Sequence, residues 1–170
     1  FGTSGSVADG AITWTAPAGG VLFGKQVTIV CGGTSLSASH GTVVGLQALI
    51  NFPSEYMSLN PGGDHIFAFQ GTLASPTLIT AISMNGEWDA TLTNCEFTQV
   101  KSVLPAALNA TNSLAITPEV DNAKYNCSVT TGTAAQLRTA ILNVANWDVN
   151  DTNPFPLPIA CFGTCTDPTV

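Results

Sequence analysis

The chain has 170 residues, a length that suits one domain with a substantial core. Only 9% of the residues are charged, against about 25% in an average protein, and four Lys and Arg stand against eleven Asp and Glu. An acidic chain of this kind binds nucleic acid and anionic membrane surfaces poorly, and no apolar run is long enough to cross a bilayer, so we expect no nucleic-acid partner and no membrane insertion.

The first ten residues contain neither the basic nor the apolar segment of a signal peptide and no Met, which indicates a processed or excised chain. Beyond them, short alternating segments separated by Gly, Pro and Asn are typical of β-strands. The segment 65–70 has apolar residues on both faces, which favours a central strand. Residues 32–61 are read as a long loop with one helical turn near 43–50. The predicted strands are 11–15, 25–31, 65–70, 76–84, 113–117 and 123–129, with a turn at 85–88.

One segment, 132–147, has the spacing of an amphipathic helix. Leu137, Ile141 and Val144 or Ala145 recur at helical intervals behind Thr133, a residue type that caps helices. We therefore predict a mostly β domain at 1–147, an antiparallel β-sandwich with one short helix near 134–146. The proline-rich residues 148–170 are predicted to form a tail clamped to the same domain.

Five cysteines without a Cys-x-x-Cys pair indicate disulfides in a secreted protein rather than a zinc site. We expect two disulfides and one odd thiol, or one intermolecular bridge. Cys161 and Cys165 are close enough for a short loop, Cys95 and Cys127 both flank predicted strands, and Cys31 is left over. Three N-glycosylation motifs agree with secretion, and they begin at Asn109, Asn126 and Asn150.

Neither histidine lies in a convincing catalytic motif. Asp64 and His65 stand at the entry to the predicted strand 65–70, where Asp64 is expected to cap the turn. His40 follows Ser39, but a nucleophilic serine needs a rigid turn and a base oriented by a third group, and the sequence has no Gly-x-Ser-x-Gly elbow. We therefore predict no catalytic residue and no enzymatic activity.

Acidic residues offer two further hypotheses. A glycosidase needs two carboxylates about 5 to 9.5 Å apart in a cleft, and no aromatic platform accompanies the candidates. These are Glu87, Asp89, Glu96, Glu119 and Asp121. The segment 148–153 spaces Asp148, Asn150 and Thr152 alternately, with Asp151 beside them, loosely like the first half of a calcium loop. It lacks the glycine and the distal glutamate of such a loop, so we interpret it as an Asx-turn cluster that terminates the helix, and we predict no metal and no cofactor.

The three tryptophans separate into two groups. Trp14 lies in an alternating strand and Trp147 at the end of the helical stripe, so both are assigned to the core. Trp88 lies in a turn beside Glu87 and Asp89, and it is the one candidate for an exposed, glycan-binding surface.

Several phrases occur in an order that resembles a known family. They are DGAITWTAPAGG at 9–20, GGDHIFAFQGTLASPTLITAI at 62–82, NGEWDA at 85–90, LPAAL at 104–108 and DNAKYNCSVTTGTAAQLRTAILNVANW at 121–147. The family comprises lamin-tail-like β-sandwich modules of large secreted and surface bacterial proteins. The resemblance implies that fold and setting without an activity, and family members commonly carry Gln at the position of His65, which implies that this histidine is not a base.

Members of that family begin with apolar strands ahead of the tryptophan strand, and this chain starts almost at that strand. We therefore expect an open groove that has to be filled. A processed piece of the same precursor, a neighbouring copy or partner chain, or residues 32–61 or the proline-rich tail folding back could fill it, and we favour completion in trans by another chain. The first functional hypothesis is a non-enzymatic structural or adhesive module of a secreted, extracellular surface assembly, in filamentous form when strands are donated head to tail. The alternatives are a secreted carbohydrate-binding module and, last, a secreted hydrolase.

Overall fold

The computed structural model of the protein describes residues 10–22, 24–32, 35–48, 56–57, 62–91, 102–156 and 161. Within them the secondary structure is mostly β with one short α-helix, which confirms the predicted class, whereas packing as a sandwich stays a prediction. The elements are β1 (Ala11–Thr15), β2 (Ile29–Gly32), β3 (Ser35–Ala38), β4 (Thr42–Gln47), β5 (His65–Thr72), β6 (Ser75–Ser83), β7 (Ser113–Ala115), β8 (Asn122–Tyr125), α1 (Ala134–Ile141), a 3-10 turn (Val144–Asn146) and β9 (Trp147–Asn150).

The described strands form four small sheets. β5 and β6 are an antiparallel hairpin, and β7 lies parallel to β6 on its other side. The pairs β1–β4, β2–β3 and β8–β9 are antiparallel. Among these strands β6 is central and β5 is an edge, which corrects the prediction from 65–70. Phe67 and Phe69 are half-buried on one face of β5, and on the other face Ile66 packs against the buried core whereas Ala68 and Gln70 are exposed.

The N-terminal strands correct two more predictions. The segment 25–31 enters a sheet only at Ile29, where β2 pairs with β3. The run near 43–50, predicted to hold a helical turn, contains most of β4, whose β-branched Val43 and Val44 suit extended backbone. Gly45 lies directly under the ring of Tyr56, so a Cβ at this position would overlap the ring. This close approach requires glycine in the middle of the strand.

The buried core of the described residues lies between Ala81 and Cys161. One cluster contains Met84, Leu114, Ile116 and Val120, and a second contains Tyr125, Ala140 and Cys161. Trp147 packs against both clusters, and its indole Nε1–H donates to the carbonyl of Ile141 over 2.7 Å. The predicted core position of Trp147 is thus confirmed. Trp14 is half-buried outside both clusters, and its indole N–H donates to the carbonyl of His40 over 2.7 Å.

The helix begins where the sequence predicts. The hydroxyl of Thr133 accepts from the Gln136 N–H, and the Gln136 side chain accepts from the Thr133 N–H, which completes a capping box. α1 ends at Ile141, earlier than the predicted 134–146, because Asn143 caps a separate 3-10 turn. Neither of these helices, which are the ones in the described part of the chain, has the length and apolar character of a membrane span.

The boundary predicted between 147 and 148 falls inside β9. This strand pairs with β8 along its whole length, from Asn122 opposite Asn150 to Tyr125 opposite Trp147. Within this pair, the Lys124 ammonium lies 2.9 Å from the carboxylate of Asp148, and it also lies 5.2 Å from the centroid of the ring of Phe155, which follows the strand. The first residues of the predicted tail therefore belong to the sheet structure of the domain.

A disulfide joins Cys127 to Cys161, whose Cα atoms are 5.1 Å apart. The predicted pairs Cys161–Cys165 and Cys95–Cys127 are therefore wrong, because each uses a cysteine that is already bonded. Short sequence separation favoured the first pair, but the fold brings together two residues 34 positions apart at the buried cluster around Tyr125. Cys31 is free, as predicted, and Cys95 and Cys165 lie outside the described residues.

Replacing both Cys127 and Cys161 by Ala should lower the free energy of unfolding by about 3 to 4 kcal/mol, because the bond restricts the unfolded chain over a separation of 34 residues. Urea unfolding monitored by tryptophan fluorescence measures this loss, and Cys31→Ser serves as the matched control with little expected effect. Peptide mapping without reduction should recover a 127–161 cross-linked pair, and a 161–165 pair would contradict the structure.

Candidate functional site

The loop after β6 holds Trp88 against strand β5. Ser83 is fully buried (0% exposed), and its hydroxyl donates to the carbonyl of Gly86 over 2.6 Å. The N–H of Val120 donates to the carbonyl of Met84 over 2.9 Å. Gly86 has a φ of 75°, a backbone conformation that favours glycine. These bonds fix the backbone from which Trp88 projects.

Three rings form what we call the aromatic cluster: His65, Phe67 and Trp88. The centroid of the Trp88 ring lies 5.1 Å from that of His65 and 5.6 Å from that of Phe67, with tilts of 44° and 48°. His65 and Phe67 are two positions apart on β5 and therefore share a face. Trp88 is half-buried, which corrects the expectation of an exposed ring, because these two neighbours cover part of it.

The two histidines lie next to residues whose hydrogen bonds join neighbouring strands. His65 is the first residue of β5, and the carbonyl of Asp64 accepts from the Met84 N–H over 2.8 Å, so the predicted strand entry is confirmed. Nδ1 of His40 lies 3.3 Å from the hydroxyl oxygen of Ser39. That oxygen accepts from the Thr28 N–H over 3.0 Å, so Ser39 ties the end of β3 to the residues before β2.

A second group, the acidic cluster, consists of Glu119, Asp121 and Asp151. Each offers a carboxylate oxygen, and these oxygens lie within 4.8 Å of one another. In the sequence, Glu119 and Asp121 are candidates for a glycosidase pair, whereas Asp151 belongs to the calcium-loop-like segment 148–153. The signal that unites them is the register of β8 and β9: since Asn122 faces Asn150, the next residues outward, Asp121 and Asp151, also stand opposite. The N–H of Asp121 donates to the Asp151 carboxylate over 3.3 Å.

The acidic cluster is electrostatically unfavourable by itself. Oε1 of Glu119 and Oδ1 of Asp121 are buried and have no hydrogen-bond partner among the described residues. Burial raises the pKa of the Glu119 carboxyl, and the charges of Asp151 and Asp121 raise it further. Ca²⁺ binds about six to eight oxygen ligands, so these three carboxylates supply only part of a coordination shell, and we assign no metal site to them.

The polar side chains of the calcium-loop-like segment 148–153 do not converge on one point, because they make separate contacts. Asp148 pairs with Lys124, and only Asp151 joins the acidic cluster. The side-chain oxygen of Asn150 accepts from the Thr152 and Asn153 N–H groups over 2.8 and 2.7 Å. The predicted Asx turn is therefore confirmed, and it terminates β9 rather than a helix.

The other acidic candidates do not converge with a cavity. The carboxylate of Asp89 accepts from the N–H and the hydroxyl of Thr91 over 2.8 and 2.6 Å, Glu87 is exposed, and Glu96 lies outside the described residues. Two open cavities of about 610 and 580 Å³ flank α1. The described residues that line them carry hydroxyl, amide and aliphatic groups and no ionisable side chain.

The raised pKa of Glu119 predicts a pH-dependent stability. A carboxyl that binds its proton more tightly in the folded state stabilises the fold at low pH, and this contribution is lost as the pH rises from the ordinary value of 4.5 through the folded pKa. Glu119→Gln should therefore raise the melting temperature near neutral pH and flatten its pH dependence above the ordinary value of 4.5. Glu87→Gln, an exposed glutamate outside the cluster, is the control, and equal pH profiles for wild type and Glu119→Gln would contradict the prediction.

Comparisons with protein-family models, with curated proteins and with solved structures found no match for this chain. The likeness to lamin-tail-like modules therefore remains an expectation that rests on the ordered sequence phrases. Two features of the described residues are candidates for a functional surface: the aromatic cluster beside β5, and the outer surfaces of the N-terminal strand pairs.

Proposed function

We propose that the chain is a non-enzymatic structural or adhesive module of an extracellular assembly, of the lamin-tail-like sandwich type. In this proposal another copy of the chain covers the N-terminal strands. The observation that carries it is the outer face of the β1–β4 pair, where apolar side chains face solvent.

The outer face of this pair is defined by its register. Thr13 stands opposite Val44 and Thr15 opposite Thr42, and Leu46 follows two positions after Val44 on the same face. Val44 is 58% exposed and Leu46 is 46% exposed. An isolated two-stranded pair is only marginally stable in water, so a face of this composition gains stability when another sheet covers it.

The edges of the same strands support the same conclusion. Among the described strands, β1 and β4 pair only with each other, and β5 pairs only with β6. A strand edge presents backbone N–H and C=O groups to which another strand can bind. Contact between two different edges, such as β4 of one copy and β5 of the next, repeats without closing and therefore produces filaments.

The disulfide and the charge balance support an extracellular setting. The Cys127–Cys161 bond belongs to an oxidising compartment, since cytosolic proteins keep their cysteines reduced. The formal net charge of −7 is spread over a surface otherwise rich in hydroxyl and amide groups, which suits a protein that associates through strands rather than through charge. We propose on these grounds that the protein is secreted and located at a cell surface.

The assembly prediction is tested with Val44→Lys. We expect the wild type to form particles of several chains or filaments under native conditions, as measured by light scattering after size exclusion and by electron microscopy. An unpaired lysine in the contact should weaken association by about tenfold or more, because its charge is costly to desolvate.

Val149→Lys is the matched control, since Val149 is a strand valine of similar exposure (45%) in β9, outside the proposed contact. It should assemble like the wild type. A wild type that stays monomeric at all concentrations would refute the assembly.

One specific observation favours a second candidate, a carbohydrate-binding module. Trp88 is held on a hydrogen-bonded loop beside two other rings, and it retains an exposed part. A partly exposed ring on a fixed backbone presents apolar surface at low entropic cost.

If this candidate is correct, a glycan array should show binding that Trp88→Ala weakens about fivefold to tenfold and Trp88→Phe largely keeps, because the second variant retains a ring. Thermal unfolding of both variants controls for damage to the fold. Absence of wild-type binding across the array would exclude this candidate and leave the assembly proposal unaffected.

A further inference from the structure

The three N-glycosylation motifs differ sharply in the folded chain. Transfer of an oligosaccharide forms a bond between Nδ2 of the asparagine and C1 of the first sugar, while the bond from C1 to a lipid-linked diphosphate breaks and the amide loses one proton. The glycan then has to remain outside the folded protein. A glycosylated asparagine must therefore be exposed, and its Nδ2 must be free of bonds that the fold needs.

Asn109 meets both conditions. It is exposed and follows the buried Leu108, which anchors the turn. The side-chain oxygen of Asn109 accepts from the N–H and from the hydroxyl of Thr111, over 2.8 and 2.6 Å. Its backbone N–H donates to the side-chain oxygen of Asn112 over 2.6 Å. In the described part of the chain, every hydrogen bond of Asn109 thus uses Oδ1 or the backbone, and none uses Nδ2.

The motif at Asn126 is obstructed by the fold. Asn126 is half-buried, and its Nδ2 donates to the carbonyl of Ala145 over 3.5 Å. The middle residue of the motif is Cys127, which is bonded to Cys161. A sugar on Nδ2 would enter the contact between the end of β8 and the 3-10 turn, and it would crowd the disulfide.

The motif at Asn150 is also less suitable. Asn150 is half-buried at the end of β9, opposite Asn122, and its side-chain oxygen accepts the N–H groups of Thr152 and Asn153. The described hydrogen bonds of this motif do not include one from the Thr152 hydroxyl to Asn150. The hydroxyl-to-amide bond that Thr111 gives Asn109 is therefore present at only one of the three described motifs.

The surroundings of Asn109 have room for a sugar. The cavity of about 610 Å³ begins at the next two residues, Ala110 and Thr111, and continues past Ser113 to Asn143. Its polar groups are hydroxyls and an amide, which exchange hydrogen bonds with a sugar as readily as with water. The open surface beside the turn therefore accommodates a glycan without displacing a buried side chain.

We propose that Asn109 is the N-glycosylated residue of this protein, and that Asn126 and Asn150 remain unmodified. The proposal rests on the extracellular setting proposed above, because the lipid-linked oligosaccharide and its transferase belong to the secretory route. It adds a covalent modification to the turn at 109–112.

The test expresses residues 1–170 behind a secretion signal in a eukaryotic cell that attaches N-glycans. Glycans are removed with an amidase in ¹⁸O-water, which converts each occupied asparagine to a labelled aspartate, and mass spectrometry maps all three sites in wild-type chains. Chains from the medium and chains retained in the secretory membranes are both mapped, so every outcome yields an occupancy. We expect occupancy at Asn109 to exceed that at Asn126 and at Asn150 at least several-fold.

Asn109→Gln and Thr111→Ala should each abolish the single glycan-dependent mobility shift, whereas Asn126→Gln and Asn150→Gln should keep it. An unmodified Asn109 in wild-type chains, or equal occupancy at Asn126 or Asn150, would overturn the proposal. Those results leave the assembly proposal standing, since its readout is particle size. Conversely, a protein that stays monomeric but is glycosylated at Asn109 would refute the assembly proposal and support the modification proposal.

Discussion

The packing of Trp147 between two buried clusters is the interaction on which the rest of the described structure depends. Its ring contacts the cluster around Ile116 and the cluster around Tyr125, meeting the Tyr125 ring edge-on at 6.0 Å. Its indole N–H donates to the last residue of α1, and its backbone begins β9. One side chain thereby links the helix, the β8–β9 pair and the loop that carries Trp88. No described residue between 10 and 57 is buried, so the N-terminal pairs have no comparable anchor.

The sequence was most informative where a local signal agreed with the tertiary packing. The cap at Thr133, the strand at 11–15 and the turn after β6 depend on neighbouring residues, and each was predictable. Contacts between distant residues were not predicted: the ring of Tyr56 over Gly45 in β4 was not expected, and Val144 is exposed because the helix ends before it. The disulfide was missed for the same reason. Periodicity reports which face of an element is apolar, but it does not report which distant element meets that face.

The candidate sites show the same division. The Asx turn at Asn150 was predictable, since asparagine bonds to backbone a few residues ahead. The acidic cluster was not, because it requires the register of β8 against β9, together with the position of Glu119 before that pair. The sequence indicated Trp88 as an exposed ring, but its contact with His65 and Phe67 needs the loop after β6 to fold back on β5. The two-residue alternation of β5 places His65 and Phe67 on one face. The hydrogen bonds from Ser83 and Val120 to the loop position Trp88 beside them.

The Cys127–Cys161 bond also determines how the chain responds to force. Residues 127–161 form a covalently closed ring that contains α1 and β9. Tension applied to the backbone on either side of the ring passes through the sulfur atoms and bypasses the enclosed elements. Opening the ring would release 34 residues, which span roughly 110 to 120 Å when fully extended. With the bond intact, residues 127–161 therefore add almost no length under tension, whereas reduction allows them to extend.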